Sequence, residues 1–154
     1  MSRVATERTR VLIVEARFYE DIADALVEGA VAALEAAGVA HDRLSVPGAF
    51  EIPAAIAIAH QGALKGHGPV HDGYLALGCV IRGETSHYDY VCSESARGLM
   101  DLATGRHLAI GYGILTTETR EQAWQRADPA KGNKGGDAAR ACLAMIELKK
   151  RFGA

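Results

Sequence analysis

Residues 72–81 read DGYLALGCVI. This near-continuous apolar run is bounded by turn residues: Gly62, Gly66, Gly68 and Pro69 precede it, and the polar stretch 82–88 (RGETSHY) follows. It predicts a strand buried on both faces, as parallel sheets in α/β proteins require. Upstream, Arg10 to Ala16 (RVLIVEA) is rich in β-branched residues and predicts a first strand. A helix is expected near Asp21 to Ala37, where Ile22, Leu26, Ala30, Ala33, Leu34 and Ala37 recur at helical spacing before the stop at Gly38. His41 to Val46 predicts a short second strand, and Phe50 to Leu64 a helix with Pro53 in its first turn. Downstream, a helix is expected from about Ser86 to Thr104 and a strand over His107 to Leu115. Two closing helices are expected near Thr119 to Ala127 and Gly136 to Arg151. Four strands alternating with helices give a three-layer α/β/α sandwich on a four-stranded parallel sheet, with a flavodoxin-like order. Residues 1–9 are expected to form a flexible or neighbour-contacting arm, and residues 10–154 a single domain.

Composition narrows the function. The chain has 154 residues, 49% hydrophobic and 23% charged, with net charge −2. That balance favours neither nucleic acid nor a polybasic membrane surface as partner. No apolar run approaches membrane-spanning length, and the polar start MSRVATERTR lacks the apolar core of a signal peptide. Three cysteines, Cys79, Cys92 and Cys142, without C-x-x-C spacing, read as free thiols of a reducing cytoplasm.

Ligands of parallel α/β sheets bind beyond the carboxyl ends of the strands. Four segments should meet there: Arg17–Glu20, Pro47–Glu51, Arg82–Tyr88 and Thr116–Glu118. Together they carry aromatics, hydroxyls, a carboxylate, a histidine and an arginine, a set that suits a planar polar ligand with an anionic group. Gly83 to Ser86 leads into a helix, whose N-terminal N–H groups favour phosphate. Thr85 or Ser86 could equally be a plain helix cap. His87, in the first turn, suits proton transfer or a structural hydrogen bond. Phe18 and Phe50 could stack on a ring or fill the core, and Glu51 could bind ligand hydroxyls or face the helix dipole. Other motifs fail on inspection. Gly111-Tyr112-Gly113 lacks the third glycine of a dinucleotide fingerprint, and the glycine-rich run from Gly132 to Gly136 lacks the Lys-Ser/Thr ending of a phosphate loop. Gly68 and Pro69 keep His67 and His71 off one helix face. No G-x-S-x-G elbow is present.

Longer motifs carry a resemblance. Residues 46–53 (VPGAFEIP), 77–91 (LGCVIRGETSHYDYV) and 113–118 (GILTTE), followed by Arg126 and Gly132-Asn133-Lys134-Gly135, resemble the 6,7-dimethyl-8-ribityllumazine synthases in order and spacing. The resemblance spans roughly residues 10 to 150. It implies condensation of 5-amino-6-(D-ribitylamino)uracil with 3,4-dihydroxy-2-butanone 4-phosphate, releasing phosphate and water, with neither cofactor nor metal. Phe18 would then stack on the pyrimidine. The backbone of Ala49, Phe50, Cys79, Val80 and Ile81 would hold the ring edge and ribityl chain, and Glu51 would accept ribityl hydroxyls. Tyr112 would stand beside the pyrimidine pocket. Glu84, Thr85, Arg126 and Lys134 would surround the phosphate, with Arg126 reaching it from a neighbouring subunit, and His87 would move protons. Tyr19 and Tyr112 depart from the Asn and Phe common in the family. Glu84, a carboxylate beside a phosphate, would have to point away or offer only its N–H. The resemblance further implies a pentamer with sites at subunit boundaries, a sixty-subunit shell being open, and association with riboflavin synthase as an option. A non-catalytic flavin or lumazine carrier, or a shell protein, is the competing reading of the same scaffold.

Overall fold

In a computed structural model, which describes residues 8–154, four parallel strands form one sheet in the order β2-β1-β3-β4. The strands are β1 (Arg10–Ala16), β2 (Ala40–Val46), β3 (Gly73–Ile81) and β4 (Ile110–Thr117). The helices are α1 (Glu20–Ala36), α2 (Ile52–Leu64), α3 (His87–Arg106), α4 (Arg120–Ala127) and α5 (Lys134–Phe152). This is the expected three-layer sandwich with a flavodoxin-like strand order. The expected arm lies mostly at residues 1–7, outside the described residues.

Strand alternation divides the core into two layers. Val11 and Ile13 of β1, with Leu75, Leu77 and Cys79 of β3, pack against α1 and α5. Leu12, Val14 and Ala16, with Tyr74 and Ala76, form the other layer with Ile52, Ile56, Val91 and Leu99 of α2 and α3. Glu15 lies on the α1 side of β1 and is the one charged residue in the core among the described residues.

Most boundaries shift by one or two residues from the sequence expectation, and three of the shifts have a local reason. The second helix is preceded by a 3-10 turn over Ala49–Glu51, so the α-helix proper starts at Ile52. β4 starts at Ile110 because His107 takes a left-handed conformation (φ 56°) and the N–H of the next residue, Leu108, closes α3 on Leu102 O. α5 starts at Lys134 because Asn133, also left-handed (φ 48°), accepts the N–H of Gly136 on its side-chain oxygen. Gly135 and Gly136 are therefore the first turn of α5, buried against α1. A Cβ on Gly135 would collide with the backbone of Leu26.

Candidate active site

The carboxyl ends of β1, β2 and β3 open onto a cavity of about 470 Å³. Phe18 follows β1 and is 74% exposed; Phe50, on the turn after β2, is 56% exposed. Such exposure rules out core filling and leaves both rings free for a ligand. Ala49 is buried beneath them, and Glu51 closes the same turn. Cys79, Val80 and Ile81 at the end of β3 form the wall. Burial pushes the Cys79 thiol up to about 12, so it is a neutral wall group and not a nucleophile.

Gly83, Thr85 and His87 also line this cavity, where the chain enters α3. Nothing occupies the space where a Cβ of Gly83 would sit. The N–H of His87 donates to Thr85 Oγ1 at 3.4 Å, while the Ser86 side chain makes no cap. Thr85 thus combines a loose cap with a place at the cavity. Glu84 is exposed and is not part of the lining.

Tyr112, Arg126 and Lys134 lie elsewhere. They line a second hollow of about 400 Å³ at the edge strand β4, with Asp137 and Ala138 of α5. No residue lines both cavities. Arg126 Nη1 donates to Gln122 O at 3.0 Å and has no carboxylate partner among the described residues. Lys134 is 3.5 Å from Asp137. Burial raises the Tyr112 hydroxyl pKa, with Cys92 and Tyr88 as lesser causes, so the phenol stays protonated.

Tyr19, Tyr88 and Val91 line the first cavity without having been assigned a role from sequence. The signal was available: in a helix starting at His87, residues 88 and 91 share a face. Asp137 was missed likewise, one turn beyond Lys134. Among the described residues no group of three or more His, Cys, Asp or Glu side chains could hold a metal ion, and His71 instead meets Asp42 at 2.8 Å. No helix of the described residues is long and apolar enough to cross a membrane.

A parallel α/β sheet carrying exposed aromatics, a helix entrance and a histidine at one rim has the layout of a small-molecule site. The chain belongs to the 6,7-dimethyl-8-ribityllumazine synthase family, whose model matches residues 8–150. It is 62% identical over 144 residues to 6,7-dimethyl-8-ribityllumazine synthase 1 of Rhizobium meliloti, covering 94% of each chain. It is 60% identical over 146 residues to the synthase of Agrobacterium fabrum (95% of this chain, 98% of the relative). The synthase of Bartonella tribocorum is 57% identical over 153 residues (99% and 98%). This is a family of transferases of riboflavin biosynthesis.

Proposed function

We propose that the chain condenses 5-amino-6-(D-ribitylamino)uracil with 3,4-dihydroxy-2-butanone 4-phosphate to 6,7-dimethyl-8-ribityllumazine, with the pyrimidine in the larger cavity. The observation that carries this reading is the pair of exposed rings, Phe18 and Phe50, facing a wall of strand-end backbone at Cys79–Ile81 beside Thr85 and His87. Phe18 stacks on the pyrimidine. Backbone groups of Ala49, Phe50, Cys79, Val80 and Ile81 fix the ring edge and ribityl chain, and Glu51 accepts ribityl hydroxyls. The phosphate lies at the entrance of α3, against Thr85 and the helix N–H groups. Glu84 contributes its backbone alone, since a carboxylate would repel the phosphate.

The pyrimidine amine attacks the ketone and an imine forms with loss of water. Phosphate leaves, the chain tautomerises to a ketone, and the second amine attacks that carbonyl and closes the ring with loss of a second water. The first step needs two oriented substrates and the later ones proton transfers within the adduct, which orientation in the cavity and His87 supply. Arg126, with Lys134 and Tyr112 beside it, completes the site from a neighbouring subunit. Two observations support this. These residues form a separate hollow at an edge strand, and Arg126 has no carboxylate partner among the described residues. The assembly is a pentamer acting in the cytoplasm, and riboflavin synthase, which consumes the product, is a candidate partner. Lumazine formation from the two purified substrates, measured with the mass of the protein in solution, tests the reading. A folded oligomer that binds the pyrimidine without turnover would instead make it a carrier.

A further inference from the structure

Phe18 is 74% exposed, so packing does not hold its ring. Its neighbours in sequence are held instead. Arg17 Nη1 donates to Glu15 Oε1 at 2.8 Å. Glu15 is 1% exposed at the carboxyl end of β1, and Arg43 of β2 grips the same carboxylate through Nε and Nη2, both at 2.8 Å. The other nitrogen of Arg17 pairs with Asp24 of α1. On the far side of Phe18, Tyr19 packs against the core, meets the Phe18 ring edge-on at 4.9 Å, and lies under Arg120, which pairs with Asp21.

A buried carboxylate costs free energy unless its partners compensate. Burial alone would raise the Glu15 pKa. The hydrogen bonds from Arg43 and Arg17 outweigh it, and the net shift is downward, so the group stays ionised. Arg43 of β2 takes both oxygens of the carboxylate, and Arg17 shares Oε1 with it. What the charge does is anchor the guanidinium next to Phe18 from inside the sheet. Without Glu15, Arg17 would keep only the exposed Asp24, and the turn would have to be ordered each time a ligand bound.

We propose that Glu15 is a positioning residue for the pyrimidine substrate, which through Arg17 fixes the turn that presents the Phe18 ring to the cavity. The proposal rests on Phe18 being the stacking residue. The two are separable by a double-mutant cycle with steady-state kinetics for each substrate. Phe18→Ala is expected to raise KM for the ribitylaminopyrimidine about tenfold. Glu15→Gln is expected to raise it about fivefold, leave KM for the sugar phosphate within about twofold, and add nothing in the Phe18→Ala background. Arg17→Met cuts the same tether while leaving Glu15 paired with Arg43, and is expected to reproduce the selective effect if Glu15→Gln does not fold. Additive effects in the double variant, or an equal rise in both KM values, would overturn the proposal and leave Glu15 a stability residue. An effect of Phe18→Ala with neither Glu15→Gln nor Arg17→Met altering KM overturns the clamp alone. No effect of Phe18→Ala overturns the stacking role as well.

Discussion

The guanidinium carbon of Arg82 sits 4.3 Å from the centroid of the Tyr88 ring. The same guanidinium reaches Glu118 at 2.8 Å and Asp89 at 3.4 Å. Arg82 is the cation nearest in sequence to the α3 entrance, yet its charge is balanced by two carboxylates and its face is covered by an aromatic ring. It ties β3, α3 and the end of β4 together beside the site. A phosphate dianion needs a cation from elsewhere.

The function proposed above assigns that role to Arg126. Arg126→Ala is expected to raise KM for the sugar phosphate by about 2–3 kcal/mol in free-energy terms, the range of a charge-assisted hydrogen bond. KM for the ribitylaminopyrimidine, which has no phosphate, should change little. Inorganic phosphate should compete with the sugar phosphate in the native protein and hardly at all in the variant. Equal weakening of both substrates would assign Arg126 to the subunit interface.

Removal of the His87 imidazole tests proton transfer. His87→Ala is expected to lower kcat roughly 10²-fold and to leave pyrimidine binding, followed by titration calorimetry, nearly intact. An unchanged kcat would sink the assignment.

Mixing tests whether the two hollows belong to one site. His87→Ala and Arg126→Ala subunits carry their lesions in different cavities. Dissociated and reassembled together, they should regain part of the native activity, because some sites then draw both intact halves from different chains. Each variant alone should stay impaired, and the active species should have at least the mass of a pentamer. No recovery, or a fully active monomer, would contradict a shared site.

Acid stability should report Asp42. Hydrogen bonds from Arg10, at 2.7 and 3.0 Å, and then from His71, at 2.8 Å, lower its pKa from 3.8 to about 2. A depressed folded-state value means that the ionised carboxylate stabilises the fold above about pH 4, and that this contribution fades as pH falls toward 2. In urea unfolding, Asp42→Asn should be less stable than the native protein at pH 6. The gap should narrow as pH drops from 4 to 2. A gap constant across that window would exclude the ionised pair as its source.

Close helix packing gives a last test. Gly135→Ala puts a methyl group into the Leu26 backbone, and overpacking of this kind costs about 1–3 kcal/mol. Thermal unfolding should show the loss, and Gly83→Ala, with open space at its Cβ, should show no comparable packing effect.

Much of this molecule was legible from its sequence because the signals were local. The bounds of β1 agree to the residue, since an apolar β-branched run between polar residues has one reading. The expected start of α5, Gly136, falls two residues late because Gly135 reads as loop, and only the approach of α1 explains glycines inside a helix. The cavity's residues come from segments directly after three strands, so topology alone gathers them. The resemblance already set Arg126 apart on a neighbouring subunit, but that Tyr112 and Lys134 share its hollow was invisible, because motif order carries no distances. Glu15 was passed over for a similar reason. Its partner Arg43 is distant in sequence, and only the parallel register of β1 and β2 brings the two within reach.

The two hollows differ in lining and charge, so a contact that joins one to the other joins unlike surfaces. Such a contact repeats in one direction from subunit to subunit. An open row built this way always ends with one cavity lacking its arginine and one arginine lacking its cavity. Closing the row into a ring removes both defects at once. Ring closure would thus add one working site without adding a subunit, so specific activity would rise abruptly on closure instead of growing smoothly with the number of chains.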